Sequence, residues 1–326
     1  RVKCIFEIAK DCPLGEHPLR LRTKDTLTSV ATFWVGPFPI VPELERGGFE
    51  VTYNGGNTIV KESSQSIQQP NDTLATAQPV PMNHTIAGEI RVTRELDHDY
   101  YKITAKQGER ISVELDSVRL CDKAYAESEY DLMLRLLDAK GNVIISQDDS
   151  DLHVQDPIVS TKAPYSGDYY IHIRQQLYKG GRWIYYRAHV GNFIRPTLAY
   201  PLGGQAGTES SVILLGDGLG KTSQPVDWPT ETGDWAFYPG EQGEQPPSSL
   251  PLRVSSYPNA LETASKRIHS VPVALNGIIA SPGEEDVFEV TLAKDVSYRI
   301  RAFARGNGSP LDSSVWIRHV DAEEPE

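Results

Sequence analysis

Pro70-Asn71-Asp72-Thr73-Leu74-Ala75-Thr76-Ala77 returns in degraded form as Pro258-Asn259-Ala260-Leu261-Glu262-Thr263-Ala264. The residues that follow also return. Asp97-His98-Asp99-Tyr100-Tyr101-Lys102-Ile103 corresponds to Glu284-Glu285-Asp286-Val287-Phe288-Glu289-Val290, about 187 residues on, and Gly88 and Gly277 precede the two stretches at the same place. Self-similarity at this spacing predicts an array of domains rather than one compact unit.

Strand signals dominate around the repeat. Arg110-Ile111-Ser112-Val113-Glu114-Leu115 alternates polar and apolar, the period of a half-buried strand. Leu132 to Leu137 reads as a buried strand. It ends in Asp138-Ala139-Lys140-Gly141-Asn142, whose Gly and Asn accept the positive φ of a tight turn, and resumes at Val143-Ile144-Ile145. Tyr169 to Arg174 and Trp183 to Val190 read as further strands, and Thr73 to Thr76 as one short turn. No segment reads as a helix of three turns. With 39% hydrophobic residues, and Gly 26 and Pro 23 spread along the chain, the expected class is all-β: tandem β-sandwiches.

Composition shifts give the boundaries. Residues 1–45 are expected to be the C-terminal part of a β-domain, and 46–69 a linker or edge segment. Residues 70–195 are expected to form a β-sandwich, 196–255 another β-domain, and 256–326 the front part of a second copy of the 70–195 unit. Leu252-Arg253-Val254-Ser255, at the close of the fourth segment, resembles Leu19-Arg20-Leu21-Arg22 in the first.

The net charge of −12 argues against nucleic acid and anionic membrane surfaces, which need a basic face. No apolar run approaches the ~18 residues of a membrane span, so membrane insertion is not expected. The three cysteines, Cys4, Cys12 and Cys121, do not make a disulfide scaffold; Cys4 and Cys12 are near enough in sequence to bridge neighbouring strands. Sequons stand at Asn71, Asn83 and Asn307, and carry meaning only in a eukaryotic secretory context.

The repeated unit resembles the bacterial pre-peptidase C-terminal domain. The match runs in order through Pro70-Asn71-Asp72-Thr73, Ala87-Gly88-Glu89-Ile90, Asp97 to Ile103, Gly108-Glu109-Arg110-Ile111, Tyr130-Asp131-Leu132, Leu137 to Asn142, Asp148-Asp149-Ser150 and Ala163 to Tyr170. The intervening segments look like immunoglobulin-like TIG modules, and the alternation resembles large secreted proteins of planctomycete-type bacteria. The resemblance implies jelly-roll-like sandwiches in a protein that is secreted, at the cell surface or periplasmic. Such a segment is non-catalytic, a spacer or adhesion module. Two alternatives stand beside it: a calcium-supported module binding protein or polysaccharide at the cell surface, and an accessory region of a secreted peptidase.

Relatives in collagenases bind calcium, and the matching positions here are Asn71, Asp72, Asp97 and Asp99. The preceding positions, often Glu in relatives, are Gln68 and Gln69, which weakens the expected site, because calcium takes six to eight oxygens with several carboxylates. In the second copy Ala260 replaces Asp72, and no site is expected. The competing reading is that Asn71 and Asp72 cap a short turn. Asp148-Asp149-Ser150-Asp151 reads as a solvated acidic loop before it reads as a cation site.

Leu215-Gly216-Asp217-Gly218-Leu219-Gly220-Lys221-Thr222 imitates a phosphate-binding loop but has Leu215 where the motif needs Gly, and no helix follows; a β-turn is expected. No HExxH and no GxSxG occurs, and no catalytic residue is assigned. Trp228, Trp235 and Tyr238, in a Pro/Gly-rich stretch, are the candidate ligand-binding aromatics.

Overall fold

The computed structural model describes residues 5–28, 30–44, 49–54, 57–62, 70–91, 97–120, 130–177, 184–241, 243–262 and 268–320. It resolves into two compact units. One holds Arg1–Arg195 with Gly240–Ser248, the other Pro196–Pro239 with Ser249–Glu326. The fold is all-β. Helical structure among the described residues is confined to short 3-10 turns such as Leu74–Thr76, Val118–Leu120 and Arg305–Asn307.

The strands of the first unit are β1 (Gly15–Leu19), β2 (Ala31–Val35), β3 (Ile40–Pro42), β4 (Phe49–Asn54), β5 (Asn57–Glu62), β6 (Gln78–Pro79), β7 (His84–Ile90), β8 (Asp99–Ala105), β9 (Arg110–Asp116), β10 (Leu132–Leu137), β11 (Val143–Gln147), β12 (Ile158–Lys162), β13 (Gly167–Gln175) and β14 (Ile184–Gly191). Ten of them make two five-stranded sheets, ordered β11-β10-β13-β8-β6 and β12-β9-β14-β7-β3. Pairing is antiparallel except at two edges, where β3 runs parallel to β7 and β6 parallel to β8.

Period-2 alternation turns one face of each strand inward. Tyr101 and Ile103 of β8, Ile171 and Ile173 of β13 and Leu132, Leu134 and Leu136 of β10 meet Ile111, Val113 and Leu115 of β9 and Tyr186, Ala188 and Val190 of β14 in one core. Gly88 is inward-facing in β7 opposite Tyr186, and a Cβ there would stand 2.3 Å from the Tyr186 ring. The absent side chain is what lets that ring lie across the strand.

The hairpin read at 132–145 is present: β10 and β11 pair antiparallel. Gly141 takes φ 84°, and Asp138 Oδ1 accepts from the Lys140 and Asn142 amides at 2.8 Å each.

Two boundaries differ from the sequence reading. β3, upstream of residue 45, is an edge strand of the sandwich itself, because Ile40, Val41 and Pro42 align with Thr85, Ile86 and Ala87. The expected linker carries the β4–β5 hairpin. Residues 240–248, expected in the fourth segment, cluster with the first unit. Cys4 and Cys121 lie outside the described residues; Cys12 Sγ stands 3.8 Å from His17 Nε2.

The second unit contains β15 (Leu198–Tyr200), β16 (Gly203–Gln205), β17 (Glu209–Leu215), β18 (Thr222–Asp227), β19 (Gly233–Phe237), β20 (Leu250–Ser255), β21 (Asn259–Leu261), β22 (Ile268–Ser270), β23 (Ala274–Asn276) and β24 (Glu289–Thr291). Two three-stranded sheets, β15-β17-β18 and β16-β20-β19, enclose Val212, Leu214, Val226, Trp228, Leu250, Leu252 and Val254. The phosphate-loop imitation is the β17–β18 hairpin turn, with Gly216 at φ 79° and Gly220 at φ 99°. The degraded copy is sparse. β22 runs parallel to β24, as β6 does to β8 at the corresponding stretch of the first copy, and many of its large apolar residues, Ile268 and Trp316 among them, are exposed.

Candidate functional site

Three acidic side chains and one amide gather at one end of the sandwich. Asp99 opens β8 facing inward and is fully buried; Asp97 precedes it by two residues, on the same face, and is also buried. Asn71 is drawn into the interior, where its carbonyl oxygen accepts from the Tyr100 amide at 2.8 Å. Glu43, just past β3, completes the group, and sequence reasoning missed it. It sits 28 residues before the Asn-Asp pair, and only the parallel β3–β7 pairing brings it here. Its Oε2 accepts from the Glu89 amide at 3.1 Å, and its Oε1 accepts from Tyr101 Oη at 3.3 Å and from Asn71 Nδ2 at 3.5 Å.

Tyr186 closes the group from the opposite sheet, its hydroxyl donating to Asp99 Oδ2 at 2.5 Å and lying 2.6 Å from Tyr101 Oη. Asp97 Oδ2 accepts from the Arg91 amide. Burial is the main force on these acids. It pushes Asp99 well above the usual carboxylate range, reinforced by the charges of Glu43 and Asp97, and it raises Glu43 despite the hydrogen bonds that favour its charge. Each of the two carboxyls is thus held towards its neutral form, first by burial and, for Asp99, next by the Glu43 charge.

The expected metal set is therefore brought together in part. Asn71, Asp97 and Asp99 converge. Asp72 is exposed, and its charge acts on His98. The competing reading, that Asn71 and Asp72 cap the turn, is not what forms: Thr73 and Thr76 close the 3-10 turn, their hydroxyls 2.8 Å apart. The donor set is all oxygen, as calcium requires, and Asn71 Oδ1 and Asp99 Oδ1 are buried without a hydrogen-bond partner. Those two oxygens are what a cation would satisfy. Among the described residues no three His, Cys, Asp or Glu side chains form a group that could hold a metal ion as they stand.

A second buried charge cluster lies on the β9 side. Glu114 is buried against Arg195, with Nε 2.8 Å from Oε2, and against Arg119 Nη2 at 3.2 Å. Asp116 pairs with Arg119, Arg187 and His189, and Asp156 takes Arg119 Nε at 2.8 Å together with the Ser117 and Val118 amides. The guanidiniums overcome the burial penalty and hold both Glu114 and Asp116 far below the usual carboxylate range. Ser248, His153 and Glu114 meet here, but the hydroxyl (2.8 Å) and the carboxylate (3.2 Å) both face His153 Nε2. A nucleophile relay needs them on opposite ring nitrogens.

The remaining candidates are dispersed. Asp148 and Asp149 act with Asp131, whose carboxyl is raised to about 6, first by burial and then by those two charges. Trp228 is a core residue, with Nε1 donating to Ser210 Oγ at 2.7 Å, which corrects the expectation that it offers a ligand face. Trp235 packs edge-on against it, and Trp235 and Tyr238 are half-buried. The sequon asparagines are engaged: Asn71 and Asn307 are buried, and Asn83 accepts from the Asn192 amide.

On the outer face of β8 and β13, His98 Nδ1 lies 2.9 Å from His172 Nε2, and Tyr100 stacks on His172 with centroids 4.3 Å apart. Burial, with the charges of His98, Arg135 and Arg174, lowers His172 to about 3.

Residues 97–175 match the family described as bacterial pre-peptidase C-terminal domain. No curated protein matches the chain. Among solved structures it is similar to the pre-peptidase C-terminal domain of collagenase from Bacillus anthracis, at 16% identity over 35% of this chain and 93% of that one, with a TM-score of 0.26. It is also similar to PliG, a periplasmic inhibitor of g-type lysozyme. For PliG of Aeromonas hydrophila the identity is 15% over 35% of this chain and 96% of that one, with a TM-score of 0.25. For PliG of Salmonella Typhimurium it is 15% over 35% and 98%, with a TM-score of 0.22. Glu43, Asn71 and Asp72 lie outside the matched residues; Asp97, Asp99 and the core strands β8, β9, β10 and β13 lie within them, and a bacterial pre-peptidase C-terminal domain is thus found at residues 97–175.

Proposed function

We propose that the chain is a non-catalytic accessory segment of a secreted or periplasmic bacterial protein, and that its sandwich is a calcium-supported module for a protein or polysaccharide partner. The single observation that carries this reading is the acidic group of half-buried Glu43 with buried Asn71, Asp97 and Asp99. A fold gains little from two buried carboxylates beside a half-buried third unless a proton or a cation neutralises them, and calcium suits an all-oxygen set. Glu43 supplies the kind of charge that Gln68 and Gln69 lack. Pre-peptidase C-terminal domains are non-catalytic modules found with secreted peptidases, which supports an accessory role beside a hydrolase. No helix among the described residues is long and apolar enough to cross a membrane. A plain spacer is the second reading, favoured by the raised Asp99 and Glu43 carboxyls, which burial holds towards their neutral forms.

Calcium calorimetry on the full chain tests the choice. Binding is expected in the wild type. It should be abolished in Asp99→Asn, weakened at least tenfold in Glu43→Gln, and changed least in Asp72→Ala. Absence of heat in the wild type would refute the calcium reading and leave the spacer.

A further inference from the structure

Strands β10, β13 and β8 are the interior strands of their sheet, each paired on both sides. Their inward residues, Leu134, Ile171 and Tyr101 among them, build the core. Alternation therefore turns Arg135, His172 and Tyr100 to the opposite face, where the register sets them side by side, with Tyr170 and Lys102 in the next row. Tyr100 stacks on His172 at a centroid distance of 4.3 Å, and His98 does so at 5.0 Å. His172 is buried, whereas Arg135, Tyr100, Tyr170 and Lys102 are half-buried and keep part of each side chain open. A ligand on this face meets side chains alone, because the ladder groups of interior strands are already taken.

The charge on this face is unbalanced. Lys102 is matched by Asp168 at 3.5 Å. Arg135 is not matched: its Nε donates to Ser146 Oγ at 3.4 Å, and it forms no ion pair among the described residues. Arg174, buried in β13, is tied to the Gln175 and Gln176 carbonyls at 2.9 and 3.0 Å. Its charge joins that of Arg135 at Tyr100, His98 and His172. The opposing charge that reaches the group is that of Asp72, at His98. On a chain of net charge −12 this is a local reversal of sign.

We propose that this face binds an acidic polysaccharide, with the Arg135 guanidinium taking a sugar carboxylate and Tyr100 and Tyr170 lying against the sugar beside it. The proposal names the partner of the accessory module and rests on that reading. A planar guanidinium matches a carboxylate with two parallel N–H donors. A tyrosine offers an apolar ring with a hydroxyl at its tip, which suits the mixed C–H and O–H surface of a sugar. An extended acidic peptide would add its backbone at an open sheet edge, and these three strands have none.

The test is calorimetric titration of the full chain with a short oligomer of galacturonic acid, at low ionic strength and with a chelator present. Binding is expected, weakening as salt is raised, while a neutral oligosaccharide of the same length gives no heat. Arg135→Gln should lower the affinity about tenfold with an unchanged melting temperature. Arg135→Lys keeps the charge but loses the planar fork, and should stay about threefold weaker than the wild type. Arg299→Gln, an exposed arginine of the other unit, should change nothing. The chelator separates this result from the calcium reading: a chain that binds no calcium leaves the Arg135 site standing, and a failed sugar titration leaves the calcium calorimetry untouched. Absence of binding, equal affinity for the neutral oligosaccharide, or unchanged affinity in Arg135→Gln would overturn the proposal. A poly-glutamate peptide bound as tightly as the sugar would overturn it too, and assign the face to an acidic protein.

Discussion

Asp99 shows how one residue can be written in a motif and still take its meaning from elsewhere. Its place before an alternating strand makes it inward-facing; its chemistry comes from Glu43, Tyr186 and complete burial. Because its proton is held more tightly in the folded state, stability is lost as pH rises from the ordinary Asp value of about 3.9 toward the raised one. Asp99→Asn keeps the shape and removes that charge. In calcium-free buffer the variant should have a higher melting temperature than the wild type at alkaline pH and a similar one at pH 4, as checked by thermal denaturation across pH. Gly88 is the complementary case, since a methyl group there meets the Tyr186 ring at 2.3 Å. Gly88→Ala should destabilise the chain by about 1–3 kcal/mol in urea denaturation, the usual cost of overpacking a core. In the degraded copy a Cβ on Gly277 would instead meet Asp286, the counterpart of Asp99.

At the scale of elements, β9 is a strand whose outward side is buried as fully as its inward side. Val113 and Leu115 enter the core, while Ser112, Glu114 and Asp116 are covered on the other face by Arg119, Arg195, His153, Ser248 and their neighbours. The polar–apolar alternation of 110–115 identified the strand correctly, yet it pointed to solvent on the polar side, where a charge network lies instead. Glu114→Gln removes one side of that network and leaves Arg195 buried without its carboxylate partner. Breaking a buried pair in this way costs about 3–5 kcal/mol, so the variant should unfold at clearly lower urea concentration than the wild type. Both Glu114 and Asp116 have depressed carboxyl values, so their contribution is fully present above the ordinary carboxylate range and is lost as pH falls below it. Acid unfolding followed by circular dichroism should therefore shift to higher pH in Glu114→Gln.

For the whole molecule, the proposed calcium ion would contribute to folding by mass action. At a concentration about 100 times its Kd it should raise the unfolding free energy by about 2.7 kcal/mol, and chelation should reverse the rise in melting temperature in the wild type but leave Asp99→Asn unmoved. The sequence by itself determined the all-β class, the strands β9, β10, β11, β13 and β14, the 138–142 turn and the β-turn at 215–222, because period-2 alternation and the φ demands of Gly and Asn are local properties of the chain. It also marked Asn71, Asp97 and Asp99. Only the tertiary structure decided that β3 belongs to the sandwich and brings Glu43 to Asp99, that Asp72 turns outward while Trp228 goes into a core, and that His98 meets His172. Each of those depends on pairing between distant strands, and pairing is settled by which faces must be buried together in three dimensions, a quantity that no short stretch of sequence contains.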